Sequence, residues 1–491
     1  MINKDIKHYK KPAELPFTKE QRKRTTILFG GLTLNHEHLI KGALESIGYN
    51  ADYLPVPDNR ALQTGKEYGN RGQCNPTYYT VGNLIRHLNA LKTTGIEDVE
   101  DKFVFLTAGA CGPCRFGMYE SEYRKSLKEA GFGKFRVLTF EQSDRFETSS
   151  DNGIEANRAF YKAIIKAIVL GDILNETGYR IRPYEKNTGE TDGIISSYRE
   201  KLYTAFLNSS SITSHLRRFY ERLKRIEVDY LRVKPVVQII GEFWAQTTEG
   251  DGNYRLARWL ESEGAEVKTE PVSTWIDYLL WNSSLEEKER FSIRPVRSAG
   301  RLMGIFMLKH LFQFYFNTYR RALGGWIHRM PSQNRLANYA SPYFNVHITG
   351  GEGHLEVGKH IMAFEDKKAH MVVSVKPFGC MPSTLSDGVQ SKVTGDFSDS
   401  LFVSIETSGD AEVNVKSRVQ MKLYEAKQRA KEEFNTVLSN QKIDHSALKN
   451  LLTDNSELAN PMINMPHICT GTAANFLAYA ARRLPIFRVY S

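Results

Sequence analysis

Short apolar runs alternate with longer amphipathic segments along the first third of the chain. "TTILFGG" (25–31) and "KFVFLTAG" (102–109) are apolar, end in glycine and precede segments whose apolar residues have helical spacing. "NADYLPVP" and "KFRVLTF" (134–140) are two further short runs of this kind. Strands that alternate with helices are typical of βαβ units in a parallel sheet. The pattern therefore predicts a first α/β lobe over residues 25–195.

The same pattern begins again after a charged, helical segment that we interpret as a linker at 196–233. "KPVVQIIGEFW" (234–244) predicts a strand, and a helical segment and the short strand "EVKTEPVS" follow it. The sequence Leu-Glu-Ser-x-Gly ends the first helix at 44–48 and recurs at 260–264. We therefore expect a second, related α/β lobe over 234–425.

Helical and basic segments account for the remaining residues. Residues 276–335 predict a helical insertion, 426–491 predict a C-terminal helical cap, and 1–24 form a basic arm without the apolar segment of a secretory signal. The longest apolar run, 302–316, is interrupted by polar residues and, at about 1.5 Å per residue, is shorter than a bilayer requires. We expect it to pack as a helix within the protein, so no membrane span is predicted.

The composition and net charge of the chain limit the kinds of protein it can be and the kinds of partner it can bind. The chain has 491 residues, enough for two or three domains, and its formal net charge is +10. This charge favours an acidic or phosphate-bearing partner, but no basic element interleaved with aromatic residues is present, so nucleic-acid binding is not expected. Five cysteines scattered along the chain argue against a secreted disulfide framework and indicate the reducing cytoplasm.

Four of the cysteines lie where α/β proteins place their functional loops. Cys111 and Cys114, in "ACGPCRFGMYE", directly follow a predicted strand, and Cys380 in "PFGCMPS" follows another. Cys74 lies in the glycine-rich segment "GNRGQCNPTYYTVGNL" before a predicted helix. Loops beyond the carboxyl ends of parallel strands line the ligand crevice, so these cysteines can meet between the lobes. Cys469 is either a fifth member of this group or unrelated to it.

The cysteine pattern alone leaves three kinds of chemistry open. A Cys-Gly-Pro-Cys segment before a helix suits dithiol exchange, but that function gives Cys74 and Cys380 no role. Structural zinc sites usually combine two local cysteine pairs, whereas here one pair joins two distant single cysteines. Thiolates gathered from separate loops also suit an iron–sulfur cluster. Zinc and iron–sulfur remain equally compatible with the spacing.

The segment "GHLEVGKH" (353–360) has the Gly-x-x-x-x-Gly-Lys spacing of a phosphate-binding loop. His360 stands where a serine or threonine would contact magnesium, which argues against nucleotide hydrolysis. The apolar "YFNVHI" (343–348) before it is compatible with a strand. An anion-binding turn and an ordinary helix start, with Glu352 and Glu356 in the first turns, are the two remaining interpretations.

Several longer motifs together resemble the 2-hydroxyacyl-CoA dehydratase / benzoyl-CoA reductase family, and most closely the dehydratase-like segment of CoA-substrate-specific enzyme activases. They occur in order over about 25–425, and they are "FGGLT", "GNRGQCNPTYYTVGNL", "ACGPCRFGMYE", "RPYE", "GEFW" with Asn253, and "PFGCMPS". The resemblance implies two flavodoxin-like lobes with an iron–sulfur cluster in the cleft between them. It also implies that a separate ATP-hydrolysing activator supplies low-potential electrons, and that the substrate is a CoA thioester or another small molecule.

By position, the resemblance assigns Cys74, Cys111 and Cys380 as cluster ligands, with Cys114 as the fourth. Five cysteines are too few for two complete cubanes, so we expect one 4Fe-4S cluster per chain rather than a double-cubane cluster. No activator-type phosphate loop is recognisable, and the family's members lead us to expect a homo- or hetero-oligomer.

Three charged residues are candidates for catalysis beside these cysteines. Arg115 could stabilise negative charge, while Glu242 and Glu352 are candidate cleft carboxylates with a helix-start role as the alternative. The sequence therefore predicts an iron–sulfur redox enzyme or enzyme subunit. The alternatives are a non-catalytic cluster-carrying relay or maturation partner, a dithiol oxidoreductase and a structural zinc protein.

Overall fold

Two α/β lobes, each built on a four-stranded parallel sheet, form the molecule. The computed structural model describes residues 17–109, 114–140, 153–348, 351–441 and 456–483. The α/β class and the two lobes predicted from the hydrophobic pattern are thereby confirmed.

The first lobe follows the basic arm, most of which lies outside the described residues. Phe17 is buried in the core of this lobe, and a short 3₁₀ turn, Glu20–Lys23, precedes the first strand. The elements of the lobe, in chain order, are β1 (Thr26–Phe29), α1 (Leu34–Glu45), β2 (Asn50–Tyr53), α2 (Asn59–Tyr68), α3 (Asn75–Thr93), α4 (Val99–Lys102), β3 (Phe103–Ala108), α5 (Tyr119–Glu129) and β4 (Arg136–Phe140).

Three helices connect the lobes: α6 (Arg158–Ile181), α7 (Glu190–Leu207) and α8 (Ile212–Leu223). Their apolar faces join α1 in one large core on one face of the first sheet. Helix α7 begins at Glu190, so it crosses the boundary at residue 195 that we placed between lobe and linker.

The second lobe repeats the alternation of strands and helices and adds helices of its own. Its elements are β5 (Val236–Gly241), α9 (Phe243–Thr247), α10 (Leu256–Ser262), β6 (Glu266–Lys268), α11 (Val272–Glu289), α12 (Pro295–Ala322), α13 (Gln333–Ala340), α14 (Gly353–Glu365), β7 (Met371–Pro377), α15 (Met381–Asp396), β8 (Phe402–Thr407), α16 (Glu412–Asn440) and α17 (Thr472–Arg483). Helix α16 is continuous across residue 425, where we expected the lobe to end and the cap to begin.

The helical insertion expected at 276–335 corresponds to α11, α12 and the start of α13. Helix α12 contains the long apolar run and packs through Phe312, Phe316 and Tyr319 into the core shared with the connecting helices. Within the described part of the chain, none of the helices combines the length and the apolar character needed to cross a membrane.

Both sheets have the same strand order. It is β2-β1-β3-β4 in the first lobe and β6-β5-β7-β8 in the second, and every pairing is parallel. This 2-1-3-4 order is the beginning of the flavodoxin-type order. The central strands β5 and β7 are buried along their whole length, as expected for strands covered by helices on both faces.

The repeated Leu-Glu-Ser-x-Gly sequence ends the equivalent helix in each lobe. Gly48 after α1 has φ +90° and Gly264 after α10 has φ +92°, a left-handed conformation that glycine adopts without strain. The N–H of each glycine donates to the carbonyl of the Glu three residues before it, at 3.0 and 2.9 Å. The sequence repeat therefore reflects the same helix-ending turn, used before the second strand of each sheet.

Hydrogen bonds between side chains and backbone join the two lobes. Glu249 accepts from the N–H of Leu34 at the start of α1 at 2.7 Å, and Asp251 accepts from the N–H of Asn59 at the start of α2 at 3.0 Å. Both carboxylates belong to the second lobe and satisfy helix N-termini of the first. One loop of the second lobe therefore holds two helices of the first.

Candidate functional site

Three of the four described cysteines each occupy the residue immediately before a helix. Cys74 precedes α3, Cys114 precedes the short 3₁₀ turn Arg115–Met118 that leads into α5, and Cys380 precedes α15. All three have extended backbone angles, and each lies on a loop at the edge of a lobe. Cys111 lies outside the described residues.

Cys380 and Cys114 have equivalent positions in the two lobes. Cys114 follows β3 and Cys380 follows β7, and these are the third strands of sheets with the same order. Cys74 shares a second feature with Cys380, since each is followed by a helix with proline in its first turn, Pro76 and Pro382. Proline suits this position because the first N–H groups of a helix have no partner within the helix.

The loops of Cys74 and Cys380 touch across the junction between the lobes. The N–H of Asn75 donates to the carbonyl of Phe378 at 3.2 Å. Gly379 has φ +78°, and a Cβ there would lie 3.6 Å from the Cα of Cys74. The structure therefore brings together the cysteine loops of both lobes, as predicted from their places beyond the carboxyl ends of the strands.

The Cys74 thiol is buried and has two hydroxyl neighbours. Its Sγ lies 3.0 Å from the Oη of Tyr119 and 3.4 Å from the Oγ1 of Thr77. Arg115 donates to the carbonyl of Gly72, so its guanidinium ties the Cys114 loop to the loop before Cys74. This backbone contact accounts for Arg115 in the described structure, while a role in stabilising negative charge stays a prediction.

Burial raises the pKa of two of the three thiols. The pKa of Cys114 rises to about 12 because the thiol is desolvated, with smaller contributions from Glu352, Glu242 and Cys74, and the Phe116 N–H opposes the shift. Desolvation likewise raises the pKa of Cys380, and Glu242 adds to it. Without a bound cation these thiols are protonated at neutral pH, which is unlike an activated nucleophilic cysteine.

Glu242 and Glu352 converge on the start of the five-residue helix α9. Glu242 accepts from the N–H groups of Trp244 and Ala245 at 3.1 and 2.8 Å, and Glu352 accepts from the N–H of Phe243 at 2.9 Å. The helix-start interpretation is therefore confirmed for Glu242, while the Glu352 side chain bonds α9 rather than the N–H groups of its own helix α14.

Both carboxyls lie in a buried environment that they share with the thiols. Burial raises the pKa of Glu242 to about 7 and that of Glu352 to about 8, where the charge of Glu242 adds to the effect of burial. Each contributes to the raised pKa of Cys114 and of Cys380. Two carboxyls that change protonation near neutral pH therefore lie beside the cysteines.

The described residues do not complete a metal site by themselves. Over the described ranges, no three or more His, Cys, Asp or Glu side chains are grouped so as to hold a metal ion. The chemistry of the donors nevertheless fits a metal that prefers sulfur, because three thiols come from three loops at one junction and Cys111 is on the same loop as Cys114.

Cys469 lies away from the other cysteines. Its neighbours include Glu433 and Lys367, and Glu433 also contacts His370, the residue just before β7. Cys380 follows the opposite end of that seven-residue strand, about 20 Å away at the usual rise per residue. Cys469 is therefore not a member of the cysteine group at the junction.

The segment "GHLEVGKH" forms part of the buried helix α14. Residues 341–347 before it form turns and bends, so the strand we considered compatible with "YFNVHI" is not formed there. Lys359 is buried and pairs with Glu270 at 3.4 Å. The helix-start interpretation of this segment is confirmed, with Glu352 preceding the helix and Glu356 in its first turn.

Sequence reasoning missed the side chains that hold the thiols. Tyr119 and Thr77 bond Cys74, and Ser383 hydrogen-bonds Cys380. The spacing offered a signal for two of them, because Thr77 and Ser383 each lie three residues after a cysteine that begins a helix. Tyr119 comes from another helix, so no local spacing indicates it.

Comparisons with known proteins leave the family resemblance a prediction. No protein-family model matches the chain, and a search of curated proteins also finds no match.

Proposed function

We propose that this chain is an iron–sulfur redox protein of the 2-hydroxyacyl-CoA dehydratase-like type. The observation that carries the proposal is the meeting of cysteine loops from both lobes, with Cys74, Cys114 and Cys380 each beginning a helix at the junction. Cysteines that come from both lobes suit a group bound between the lobes. A zinc knuckle or a dithiol pair, in contrast, takes its cysteines from one local segment.

The residues that would hold the cluster are Cys74, Cys114 and Cys380, with Cys111 as the fourth. A 4Fe-4S cluster bound there would accept one electron at low potential and pass it on. The N-termini of α3 and α15, behind Cys74 and Cys380, would place N–H groups near the sulfur atoms and favour the negative charge of bound thiolates. Metal binding would also release the thiol protons that burial retains in the free protein.

Glu242 and Glu352 would hold and move protons beside the electron-transfer site. Burial raises the pKa of both carboxyls, and the charge of Glu242 further raises that of Glu352, so the pair retains a proton closer to neutral pH than exposed carboxyls do. A group with such a pKa can both donate and accept a proton. Reductive removal of a hydroxyl group or reduction of a small molecule requires protons as well as electrons, so these carboxyls suit that chemistry.

The substrate and the electron donor follow from the family resemblance. We propose a CoA thioester or small molecule as the substrate and a separate ATP-hydrolysing activator as the electron donor. The formal net charge of +10 is compatible with docking of an acidic or phosphate-bearing partner.

A cluster-carrying electron relay or maturation partner is the second candidate. Four cysteine ligands would leave no iron with an exchangeable position, and the Cys74 thiol is buried. Such a site would transfer electrons without binding substrate at iron.

Iron and acid-labile sulfide per chain, measured after anaerobic purification, test the proposal. We expect about four of each in the unaltered protein and an EPR signal after reduction with dithionite. Cys74→Ala, Cys111→Ala, Cys114→Ala and Cys380→Ala should each lose iron. Cys469→Ala is the matched control and should keep it, because this cysteine lies away from the junction.

Other outcomes would replace the proposal with a specific alternative. Zinc without sulfide would indicate a structural zinc site, and about eight irons would indicate a double-cubane cluster. A metal-free protein with a disulfide-forming Cys111–Cys114 pair, unaffected by Cys74→Ala, would indicate dithiol chemistry.

A further inference from the structure

Helix α12 presents a largely apolar face to solvent. Five large side chains on it are between 37% and 61% exposed, and they are Met303, Phe306, Met307, Leu311 and Phe314. Ile293 and Val296, just before this face, are 82% and 87% exposed. We call the exposed positions from Ala299 to Phe314 the α12 face.

The size of this surface is unusual for an isolated protein. Aromatic side chains alone offer about 150–250 Å² each when fully exposed, so the seven residues together offer on the order of 700 Å². Monomeric proteins rarely expose contiguous apolar patches larger than a few hundred Å². A stable interface buries roughly 800 Å² on each partner, which the α12 face approaches only when Ile293 and Val296 are buried with it.

The charged residues on and near the α12 face favour a protein partner over an anionic lipid surface. Except for His310, the exposed residues of the α12 face carry no titratable group, and the exposed Arg297 lies just before the face, beside Val296. The two basic residues of the same stretch are already paired within the molecule, Arg301 with Glu287 at 2.9 Å and Lys309 with Asp277 at 3.4 Å. An interfacial membrane helix needs basic side chains that are available to lipid headgroups, and here they are engaged.

Two glycines give the α12 face a shape that complements itself. Gly300 and Gly304 are exposed, and a Cβ at either position would meet no atom within 4 Å. Gly300 and Phe314 lie equally far from Met307 along the helix. In an antiparallel pair of α12 helices centred on Met307, the ring of Phe314 from each copy therefore lies over Gly300 of the other, and Met303 lies opposite Leu311.

We propose that the α12 face is a two-fold interface with a second copy of this chain. The apolar area, the small number of charged groups and the glycine notches all favour an isologous helix pair. The pairing is independent of the proposed iron–sulfur function, because no candidate site residue belongs to α12.

Sedimentation equilibrium of the full chain over a range of concentrations tests the pairing. We expect a mass of twice 56.0 kDa for the unaltered protein and 56.0 kDa for Met307→Glu. Met421→Glu is the matched control, because Met421 is also largely exposed, at 67%, but lies on α16, and it should leave the dimer intact.

A second substitution tests the notch without adding charge. A leucine side chain at position 300 has open space in the single chain, so we expect the Gly300→Leu variant to fold. In the paired helices the same side chain would fill the notch, so we expect the variant to be monomeric. Gly193→Leu on α7 is its control, since Gly193 is likewise exposed with no atom near a Cβ, and it should remain dimeric.

The same preparations separate the other possible occupants. One outcome would overturn the proposal in favour of a lipid surface. In that case the protein is a monomer at all concentrations, it co-floats with vesicles of phosphatidylcholine and phosphatidylserine (about 7:3), and Met307→Glu abolishes this binding. A dimer that survives both Met307→Glu and Gly300→Leu would show that another surface mediates pairing. A monomer that does not bind vesicles would also overturn it.

Discussion

Glu37 is a buried carboxyl at the junction of the lobes. Its Oε1 accepts from the N–H groups of Gly31 and Leu32 at 2.8 and 3.1 Å, and it borders a cavity of about 30 Å³ that Trp244 also lines. Burial raises the pKa of Glu37 to about 8, the two N–H bonds oppose this shift, and the charge of Glu249 adds to it. The folded protein therefore holds a proton on Glu37 over a pH range where the unfolded chain releases it.

Between about pH 4.5 and pH 8, we expect the free energy of unfolding to decrease in the unaltered protein but not, through this group, in Glu37→Gln. The folded state binds the extra proton in this window, so the free energy of unfolding of the unaltered protein falls as pH rises through it. The amide keeps an oxygen for the two N–H groups and has no charge to bury. The variant should be more stable by on the order of 4 kcal/mol at pH 7.5 and nearly unchanged at pH 4.5.

Urea denaturation at several pH values measures this difference. Glu97→Gln serves as the control because Glu97 is exposed. Equal pH dependence in the unaltered protein and in Glu37→Gln would show that Glu37 is not the group responsible.

At the residue scale, local sequence indicated the cysteines but not their neighbours. Cys74 and Cys380 were predictable because glycine-rich segments and the ends of apolar runs mark loops. The Tyr119 hydroxyl and the contact of Glu352 with the Phe243 N–H depend on the packing of distant elements. No single-sequence pattern records such contacts, and Cys111 lies outside the described residues.

At the element scale, α14 shows how packing can imitate a phosphate-binding motif. The glycine of Gly-Lys is needed because a Cβ at Gly358 would lie 2.4 Å from the carbonyl oxygen of Leu336 in α13. The lysine is needed because Lys359 pairs with Glu270 in the interior. Gly358 and Lys359 of the motif therefore each have a structural cause within the second lobe.

Lys359→Met tests this account of the motif. Removing one partner of a buried ion pair leaves the other charge uncompensated, so we expect the free energy of unfolding to fall by about 3 kcal/mol. Lys359→Met combined with Glu270→Gln should recover much of that loss. Denaturant titration of the three variants measures the coupling, and additive effects would contradict a direct ion pair.

Element types followed from the periodicity more reliably than their boundaries did. The sequence repeat predicted two related lobes, and the same turn after α1 and α10 and the same strand order in both sheets agree with this. The strand considered at 343–348 is not formed there, since the Asn345 side chain accepts from the His347 N–H at 3.0 Å and favours a turn. Such a local side-chain bond competes with the extended conformation that apolar residues suggest.

At the scale of the whole molecule, the loop carrying Glu249 and Asp251 fixes the two lobes relative to each other. Each carboxylate satisfies the start of a helix in the first lobe. We expect Glu249→Ala with Asp251→Ala to lower the free energy of unfolding by roughly 1–3 kcal/mol, because the Leu34 and Asn59 N–H groups lose their acceptors while Thr33 and Asp58 still cap the two helices.

Hydrogen exchange locates this effect. Amides at Leu34 and Asn59 should exchange faster in the double variant, while those of α16 should not change. Glu432→Ala, an exposed carboxylate on α16, is the control and should alter neither stability nor exchange at these amides. Uniformly faster exchange throughout the molecule would show general destabilisation rather than loosening of the junction.

The same loop has a consequence for folding during synthesis. The last strand of the first sheet ends at Phe140, but Glu249 and Asp251 are added more than a hundred residues later. At about 5–20 residues per second, the growing chain has all four strands of its first lobe roughly 5–20 s before these two carboxylates exist. During that interval Thr33 and Asp58 already cap the two helices, but the Leu34 and Asn59 N–H groups have no partner from the second lobe. The final stabilisation of the first lobe therefore waits until the next lobe begins to leave the ribosome.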